Sequence, residues 1–507
     1  MPPSDAPAPI PSLSPRDGRV KAELPAMDEA GARRAVAAAR EAQRAWAALP
    51  VRERAAALMR VRRRFLENAE RFVALLVEEN GKPEAEAWTS EIVANGDLIS
   101  WWAKHAAGYL KPEKLSLSPI NYPGKRARIE YVPRGVVAVI SPWNFPVAIP
   151  LRNIVPALLA GNAVVFKPSS ACPRIGQLIG ETFAAELPAG LLPVILGPGS
   201  LGSTVIEAGA DFVSFTGSVG VGRKVGRLCA ERFVPFALEL GGKDAAIVLA
   251  DADLERAARG VAWGGFTNCG QNCASIERVY VERAVAEPFV ARLVALTRGL
   301  RRGEDYGPLT TEAQRTIVEG QVSEAIAAGA KLETGGRRGE GEGFWYEPTI
   351  LTGVADALAV MTEETFGPVL PIRVVEDAEE ALRLANDSRF GLTASVWTRD
   401  PARGEALAAR LEVGVVTVNN HSFTGALPFA PWSGTKETGT GVTNSHLALK
   451  ELVRPRMVLV DRSRKPDLWW YPYNEALIEA SRALRDLALG RWSALGRLIS
   501  AFRRRFD

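Results

Sequence analysis

Short apolar runs alternate with helical patterns over residues 135–217, and this alternation constrains the fold more than any other feature of the sequence. The first run, Val136–Ile140, reads Val-Val-Ala-Val-Ile, which is typical of a strand buried on both faces of a parallel sheet. The pattern predicts further strands at 163–166, 193–196 and 211–216, with helices at 151–159 and 176–186 between them. Such an order indicates an open α/β domain of the nucleotide-binding kind.

A second α/β pattern begins at residue 245 and continues to about residue 432. Its predicted strands lie at 278–281, 369–375, 393–398 and 415–419, so we expect a second domain of similar size. The segment 238–242, Leu-Glu-Leu-Gly-Gly, joins the two patterns and is a candidate hinge. A cleft at this hinge would bring residues of both domains together, where ligand sites often form.

Three other regions lie outside the two patterns. Residues 28–110 repeat apolar residues at helical spacing and are predicted to be scaffold helices without a site. Residues 115–133 alternate in strand fashion around the turn signal Asn121-Tyr-Pro-Gly124, which predicts a projecting hairpin of the kind used in subunit pairing. Residues 1–18 are predicted to be a disordered tail, because their Pro- and Ser-rich start lacks the basic and apolar parts of a signal peptide.

The C-terminal extension, residues 462–507, has apolar residues at helical spacing and an arginine-rich face that ends in Arg503-Arg-Arg505. Two interpretations are open from the sequence. The helical region packs on its own or a neighbouring subunit, as amphipathic helices ordinarily do, or it makes peripheral contact with an anionic membrane surface.

Composition excludes several classes of protein. The net charge of +4 over 507 residues gives no reason to expect nucleic acid as a partner. Four cysteines do not make a disulfide framework and fit a reducing cytosol, so we expect a cytoplasmic protein. No uninterrupted apolar run is long enough to span a bilayer. A metal site is not expected, because none of the three histidines has ligand spacing to the Cys269–Cys273 pair.

Cys273 is the residue whose surroundings point most clearly to chemistry. It follows Gly270-Gln-Asn in a small, polar setting, whereas a structural cysteine usually has apolar neighbours. A nucleophilic cysteine needs access to substrate and help in forming the thiolate, and this run alone leaves both roles open. The segment Gly197–Gly202 fits the dinucleotide pattern G-x-G-x-x-G, but a simple turn explains these glycines equally well.

Six motifs occur in a fixed order along the chain, and as a set they are specific. They are Ser141-Pro-Trp-Asn-Phe-Pro146, Phe166-Lys-Pro-Ser169, Phe215-Thr-Gly-Ser218, Leu238-Glu-Leu-Gly-Gly-Lys243, Gly270-Gln-Asn-Cys273 and Glu363-Glu-Thr-Phe-Gly-Pro368. In order and spacing they closely resemble the NAD(P)-dependent aldehyde dehydrogenase superfamily, over about residues 19–461. The resemblance implies an α/β fold with a Rossmann-like cofactor domain, an α/β catalytic domain and a small β oligomerisation element.

On this chain the resemblance implies a cofactor-binding domain at 19–114 and 134–240 and a catalytic domain at 241–434. The oligomerisation element would take residues 115–133 and 435–461, and homodimers or homotetramers would follow. The extension at 462–507 lies outside the common pattern of the family.

The resemblance also assigns catalytic roles, and the chemistry explains why these residue types occur together. Cys273 matches the nucleophile whose thiolate attacks the aldehyde and forms a thioester. Asn144 matches the side-chain donor to the oxyanion, with the backbone N–H of Cys273 as the second donor. Glu239 matches the general base that activates water for hydrolysis of the thioester. The product would be the carboxylate.

The cofactor implied by the resemblance is NAD or NADP. Lys167 matches a lysine at the adenosine ribose, Glu364 matches a carboxylate at the nicotinamide ribose, and the other matching positions are Trp143, Gly217, Ser218 and Phe366. Members with a strong preference for NAD often have a glutamate at the position of Ser170. A serine there removes the charge that would repel a 2′-phosphate, so we expect NADP to be accepted alongside NAD.

The substrate is less constrained by the sequence. Arg152 matches an arginine that binds the distal carboxylate in succinate-semialdehyde dehydrogenases, although some aromatic-aldehyde members also have it. The second arginine of the semialdehyde enzymes is replaced here by Thr267, which weakens that interpretation because selective recognition depends on paired arginines. The family's glycine-rich segment before the oligomerisation strand is changed to Leu427-Pro-Phe-Ala-Pro-Trp-Ser-Gly434, and we expect Trp432 to reshape the mouth of the substrate tunnel.

Two rival functions are compatible with the same fold. Acyl transfer to coenzyme A is one, but members of that type tend to lack the hydrolytic glutamate, and Glu239 is present. A binding protein without turnover is the other, and it gives no reason for Cys273, Asn144, Glu239 and Glu364 to occur together.

Overall fold

The computed structural model describes residues 7–119, 122–421, 423–464, 466–467 and 469–505. Contacts divide the chain into two units. The first unit comprises residues 1–111 and 131–454, and the second comprises residues 112–130 and 455–507.

Strands and helices alternate along most of the described chain. The strands are β1 (Ile10–Leu13), β2 (Val20–Leu24), β3 (Glu113–Leu115), β4 (Lys125–Pro133), β5 (Val136–Ile140), β6 (Ala163–Lys167), β7 (Phe212–Thr216), β8 (Phe236–Glu239), β9 (Asp244–Val248), β10 (Ile276–Glu282), β11 (Lys331–Thr334), β12 (Thr349–Thr352), β13 (Val369–Val375), β14 (Phe390–Gly391), β15 (Thr393–Trp397), β16 (Val415–Val418), β17 (Thr435–Lys436), β18 (Gly439–Thr440) and β19 (Val453–Asp461). The helices are α1 (Glu29–Ala48), α2 (Val51–Glu67), α3 (Ala69–Leu75), α4 (Glu84–Glu86), α5 (Ala94–Tyr109), α6 (Ala148–Leu159), α7 (Pro173–Ala184), α8 (Leu201–Glu207), α9 (Val219–Glu231), α10 (Leu254–Phe266), α11 (Arg283–Arg298), α12 (Glu312–Ala327), α13 (Ala359–Thr362), α14 (Ala378–Asn386), α15 (Pro401–Ala408), α16 (Ser445–Glu451), α17 (Glu475–Ala488) and α18 (Leu495–Arg504).

The first α/β pattern forms a five-stranded sheet with the order β18-β8-β7-β5-β6. Its strands β5 to β8 pair in parallel, as the buried runs predict for β5, β6 and β7; no strand was predicted at the position of β8. The predicted strand at 193–196 is reduced to a single bridge between Phe166 and Val194. β18 pairs antiparallel with β8, so residues 439–440 complete this sheet and are not part of the β oligomerisation element predicted at 435–461.

The second pattern forms a seven-stranded sheet with the order β11-β12-β13-β10-β9-β15-β16. All its pairs are parallel except β11 with β12. β8 ends at Glu239 and β9 begins at Asp244, so the short connector 240–243 joins the two sheets at the predicted hinge. The predicted α/β fold is therefore confirmed, with both sheets in the first unit.

The N-terminal regions depart from the predictions in two ways. The predicted disordered tail, 1–18, contains β1, which pairs antiparallel with β2; residues 1–6 lie outside the described part. The Ser12 hydroxyl donates to Glu79 Oε1 at 2.7 Å, a contact with a distant helix that the local sequence does not reveal. The predicted scaffold helices are interrupted by π-helical turns at Leu76–Asn80 and Ala87–Val93.

The second unit contains a three-stranded sheet, with the order β19-β4-β3, and the helices α17 and α18. β3 and β4 form the predicted antiparallel hairpin, although Asn121 of its turn signal lies outside the described residues. The Lys125 ammonium bridges the carboxylates of Asp461 and Asp467 at 2.7 and 2.5 Å. Among the described residues, no helix is both long enough and apolar enough to cross a membrane.

Candidate active site

The loop that presents Cys273 follows α10 and turns sharply. Residues Thr267–Gly270 form a 3₁₀ turn in which Asn268, Cys269 and Gly270 have φ values of 52°, 57° and 70°. Because this is left-handed backbone, Cys269 does not lie one α-helical turn before Cys273. Cys269 is fully buried, whereas Cys273 is half-buried and lines a cavity.

Gly270 is the residue that fixes this loop against the rest of the site. A Cβ at this position would lie 2.1 Å from the carbonyl oxygen of Gly367, in the segment that follows Glu364 and Phe366. Only glycine permits both this approach and the positive φ. The nucleophile loop and the predicted cofactor segment are therefore held in contact through backbone atoms.

Asn144 is bound to the same loop. The Asn144 side-chain Nδ2 donates to the backbone carbonyl of Gln271 at 3.1 Å. The backbone carbonyl of Asn144 accepts from Asn268 Nδ2 at 2.8 Å. An amide has two N–H donors, so one remains to serve an oxyanion. Asn144 is buried, and its Oδ1 has no partner among the described residues. These contacts hold the Asn144 amide at the Cys273 loop.

Glu239 lies at the end of β8 and is buried, with 8% of its surface exposed. Its Oε1 accepts a hydrogen bond from Trp432 Nε1 at 3.1 Å. Burial raises the pKa of Glu239, while the Trp432 N–H, the Arg152 charge and the Cys273 thiol oppose this rise. Trp432 is only 2% exposed and is a hydrogen-bond partner of the predicted base.

The ionisation of Cys273 depends on the same neighbours. Burial and the nearby Glu239 carboxylate raise the pKa of the Cys273 thiol well above its ordinary value, and the Arg152 charge lowers it. Thiolate formation at this position is therefore favoured by a positive charge and disfavoured by a second negative one. Arg152 is the cation that faces both groups.

The scaffold region also contributes to the site, which the sequence interpretation missed. Lys82 Nζ donates to the Asn144 carbonyl at 3.2 Å, and Asn80 Nδ2 donates to the Trp143 carbonyl at 2.8 Å. Glu86 accepts from the backbone N–H of Asn268 at 3.0 Å. The polar break at 80–82 between two apolar helical patterns is the signal that could have revealed these contacts.

A cavity of about 360 Å³ lies on one side of Cys273. Its walls include six of the predicted catalytic and cofactor residues. These are Trp143, Asn144, Gly217, Ser218, Glu364 and Phe366. Sequence interpretation did not identify Gln314 and Ile317, which line the same cavity. The structure therefore brings the predicted nucleophile and most of the predicted cofactor residues to one cavity.

The local backbone of this cavity fits an extended phosphate-bearing ligand. Ser218 is the N-cap residue of α9, whose first-turn N–H groups are suited to an anion. A Cβ at Gly241 would lie 2.6 Å from the Glu364 carboxylate, so the glycine leaves that carboxylate room against the backbone. Glu364 Oε1 accepts from Gly242 N–H at 3.1 Å, and burial together with Glu277 raises the pKa of Glu364 to about 8.

A buried ion pair supports the Glu364–Phe366 segment. Lys243 Nζ and Glu277 Oε2 are 2.8 Å apart, and the Glu277 carboxylate accepts from the backbone N–H groups of Thr365 and Phe366, also at 2.8 Å. Phe366 has a φ of 49°, and its ring meets that of Trp143 edge-on at 5.5 Å. These bonds fix the backbone turn that aims Glu364 and Phe366 into the cavity.

Lys167 and Ser170 are not among the residues that line this cavity. Lys167 is buried, donates to the Pro168 carbonyl at 3.0 Å, and has its pKa lowered to about 8 by burial. The Ser170 hydroxyl donates to the carbonyl of Gly197 at 2.8 Å. That bond ties Ser170 to the Gly197–Gly202 segment.

A second cavity, of about 230 Å³, lies on the other side of Cys273. Both residues predicted for the substrate, Arg152 and Thr267, line it. The other lining side chains are mainly apolar or aromatic: Leu98, Phe145, Ile149, Trp263, Phe423 and Trp432. Cys273 lines both cavities, an arrangement in which two different ligands can each lie next to this cysteine.

Arg152 is the charged group of this second cavity. Its side chain is half-buried, and its Nε has no hydrogen-bond partner among the described residues. The guanidinium lies 5.8 Å from the ring centroid of Trp432, and burial lowers its pKa. A partly desolvated guanidinium in this position needs a nearby anion, either a protein carboxylate or a ligand.

Comparison with known proteins identifies relatives of this chain. A model of the aldehyde dehydrogenase family matches residues 2–458. The chain is 38% identical to 4,4'-diapolycopene aldehyde oxidase of Methylomonas sp over 494 residues, 96% of this chain and 93% of that protein. It is 41% identical to a Mycolicibacterium smegmatis protein named "Putative succinate-semialdehyde dehydrogenase (NADP+)", over 80% of each chain. The crystal structure of lactaldehyde dehydrogenase from Escherichia coli superposes with a TM-score of 0.86 at 33% identity, covering 90% of this chain and 96% of that one.

The close approach at Gly270 leads to a prediction for Gly270→Ala. A Cβ there meets a backbone carbonyl at 2.1 Å and demands a positive φ, so we expect a lower free energy of unfolding, by at least about 1–2 kcal/mol. The measurement is denaturant unfolding of the full chain. Gly220→Ala is the matched control, because a Cβ at that helical position meets nothing within 4 Å. Equal stability of the two variants would contradict the prediction.

Proposed function

This chain belongs to the aldehyde dehydrogenase family and is an NAD(P)-dependent oxidoreductase acting on aldehydes, and we propose that Cys273, Glu239 and Asn144 perform the reaction. The observation that supports this assignment is that Cys273 lines two cavities. One cavity has most of the predicted cofactor residues, and the other has a mainly apolar lining suited to an aldehyde. The product is the corresponding carboxylate.

In the first step Cys273 Sγ attacks the aldehyde carbon and forms a thiohemiacetal. The thiol proton passes to Glu239, whose carboxylate lies beside it, and the Arg152 charge stabilises the negative charge that moves between them. The oxyanion accepts from the free N–H of the Asn144 amide and from the backbone N–H of Cys273. Two such fixed donors typically contribute about 10²–10³ in rate each.

In the second step the thiohemiacetal becomes a thioester on Cys273. The bound nicotinamide cofactor supplies a hydride acceptor for this oxidation. In this chain Glu364 would hold the ribose next to the nicotinamide, and Trp143 and Phe366 would form an aromatic wall beside it. The Gly270–Gly367 contact keeps this wall at a fixed distance from the nucleophile.

Before the third step Glu239 releases the thiol proton to solvent. It then removes a proton from water, the resulting hydroxide attacks the thioester carbon, and the C–S bond breaks, so that Cys273 leaves as the thiolate and the product acid ionises to the carboxylate. The base must be ionised to act, and its raised pKa makes it a stronger base than an exposed glutamate. The Trp432 N–H holds one carboxylate oxygen, Oε1, and leaves the other for water.

Three variants test these roles. Cys273→Ala should abolish aldehyde-dependent formation of NAD(P)H, because no other group replaces the thiolate. Glu239→Gln should give a slower burst of NAD(P)H and a still slower steady turnover, since the thiol loses its proton acceptor and hydrolysis of the thioester loses its base. Cys229→Ser, at a buried cysteine of α9, is the control for loss of a thiol and should turn over normally. Steady activity in Cys273→Ala would overturn the mechanism.

The proposal for the cofactor is that NADP is accepted alongside NAD. Ser170 places no carboxylate where one would repel a 2′-phosphate, and one of the relatives above is named as NADP-dependent. The Ser170 hydroxyl is neutral and donates to the backbone carbonyl of Gly197.

A comparison of kcat/KM for the two cofactors tests this proposal. We expect the two values to lie within about 10³ of each other, and a stronger preference for NAD would contradict it. Ser170→Glu should reduce kcat/KM for NADP through charge repulsion and leave that for NAD largely intact. Ser170→Ala removes the hydroxyl without adding charge and is the control.

The proposed substrate is an aldehyde with an apolar chain or an aromatic ring. The second cavity is lined mainly by apolar and aromatic side chains, and Thr267 stands where a second arginine would be needed for a distal carboxylate. Arg152 faces Glu239 and Cys273, so it has a role without a carboxylate on the substrate. A succinate-semialdehyde-like substrate is the second candidate, favoured by the presence of Arg152 in this cavity and by the name of one relative.

Arg152→Met separates the two candidates. If the arginine acts on the catalytic groups, its loss should slow apolar aldehydes and succinate semialdehyde by similar factors, on the order of tenfold for a pKa change of about one unit. The acid limb of the kcat profile should then move to higher pH, because the Arg152 charge lowers the pKa of both Glu239 and Cys273. Arg152→Lys keeps the charge and should restore much of the rate.

A rise in KM confined to succinate semialdehyde, with an unchanged pH profile, would instead identify Arg152 as the carboxylate-binding residue. The two outcomes are distinct because one affects every substrate and the other affects one class.

Assembly and location complete the proposal. β19 is an edge strand of its sheet and exposes Met457, Leu459 and Val460, which supports pairing into a homodimer or homotetramer. We place the enzyme in the cytoplasm, with peripheral membrane contact through the extension at 462–507.

A further inference from the structure

The C-terminal extension contains all of the protein's net positive charge. Residues 462–507 have ten arginines and lysines against five aspartates and glutamates, a net charge of +5. The first 461 residues have 52 against 53, a net charge of −1. A positive charge concentrated in 46 residues favours contact with an anionic surface.

The extension is a helical hairpin with its own small core. Buried side chains of α17 and α18 pack together: Ala480, Ala483, Ala494, Leu498 and Ala501. The Asp486 carboxylate, at the end of α17, accepts from Arg485, Arg491 and Arg497, and these bonds lower the pKa of Asp486 to about 2. The two helices are therefore fixed to each other, and this packing determines which face of each helix is buried and which is exposed.

This packing leaves an apolar stripe on the outside of α18 and the turn before it. Trp492, Leu495, Ile499 and Phe502 recur at intervals of three and four residues, which places them on one helical face. Their exposed fractions are 76%, 48%, 48% and 40%. Four large apolar side chains aligned on one face are more than the scattered exposure that ordinary surfaces show.

An aromatic segment is bound to the far end of the same helix. The Arg505 guanidinium donates to the Trp470 carbonyl, and Asn474 Nδ2 donates to the Arg505 carbonyl at 3.2 Å. In this segment, residues 469–473, the side chains of Trp470, Tyr471 and Tyr473 are 58%, 79% and 66% exposed. Tryptophan and tyrosine are the residues that concentrate at the level of lipid headgroups.

Basic side chains remain available next to the stripe. Arg503 directly follows Phe502, and Arg482 lies one turn after the exposed Ile478 on α17. Neither arginine forms an ion pair with any residue in the described part of the chain. Their charges are free for phosphate groups, whereas those of Arg485, Arg491 and Arg497 are used within the hairpin.

We propose that this hairpin lies on the surface of an anionic lipid bilayer, with the Trp492–Phe502 stripe at the boundary between headgroups and acyl chains. The inference deepens the membrane contact of the proposed function by naming the face and the lipid charge. A second copy of the hairpin is the competing occupant, but two surfaces with the same net charge of +5 repel each other. Interfacial helices combine these same features, an apolar stripe, aromatic residues and arginines.

Co-sedimentation of the full chain with vesicles tests the proposal. We expect the protein to pellet with vesicles of phosphatidylcholine and phosphatidylglycerol, and much less with phosphatidylcholine alone or at high salt. The variant Trp492→Ser/Leu495→Ser/Ile499→Ser should reduce the partition coefficient by at least about tenfold. Phe233→Ser is the matched control, because Phe233 is a 96% exposed aromatic residue of the first unit. Trp492→Ser alone, at the most exposed position, should show a smaller loss in the same direction.

Three results would overturn the proposal: equal recovery of wild type and the stripe variant in the supernatant, equal binding to neutral and anionic vesicles, or a stripe-dependent change in mass without lipid. The last result, measured by sedimentation velocity, would assign the stripe to a contact between copies. Aldehyde oxidation in detergent-free solution is assayed in parallel, so a failure of catalysis is distinguished from a failure of membrane contact.

Discussion

The site depends on one electrostatic constraint, which is that Cys273 and Glu239 share a poorly solvated space. Burial raises the pKa of both groups, and each negative charge disfavours the other. The pair can hold one negative charge at low cost but not two. Transfer of the thiol proton to the Glu239 carboxylate keeps the total at one negative charge. Arg152 supplies a positive charge that acts on both groups, and the Trp432 N–H favours the charged form of Glu239. The fold must therefore bring four segments, distant in sequence, to within contact of one another.

Backbone contacts provide the required precision. Gly270 lies against Gly367, and Asn268 and Gln271 bind Asn144, so the nucleophile loop is attached to both of its functional neighbours. Glu277 receives the backbone N–H groups of the Glu364–Phe366 turn, and its own charge is balanced by Lys243. Apart from the Lys243–Glu277 ion pair, each of these contacts involves main-chain atoms, and together they fix the backbone that positions Cys273, Asn144 and Glu364.

The parts of the structure that could be predicted from sequence are those with local or strongly patterned signals. The parallel strands β5, β6, β7, β9 and β10 follow from apolar runs, and the Cys273 and Glu239 positions follow from motifs in register. The polar break at 80–82 indicates that these residues have a role, but it does not identify the partners of Lys82, Asn80 and Glu86, because each contact joins residues roughly 60 to 180 positions apart. The strands β1 and β18 were missed for a similar reason, since each is short and is defined by its partner more than by its own pattern.

Two independent observations bear on the substrate, and they agree. The second cavity is lined mainly by apolar and aromatic side chains, and its described lining contains no arginine besides Arg152, which fits a chain or ring better than a carboxylate. The hairpin of the second unit exposes an apolar stripe and a surplus of arginine, which fits a bilayer surface. An apolar aldehyde partitions into a bilayer, whereas a semialdehyde with a charged carboxylate stays in water, because ions are costly to transfer into hydrocarbon. The proposed membrane contact would therefore give an advantage to an enzyme for apolar aldehydes and none to one for semialdehydes, so the two proposals support each other.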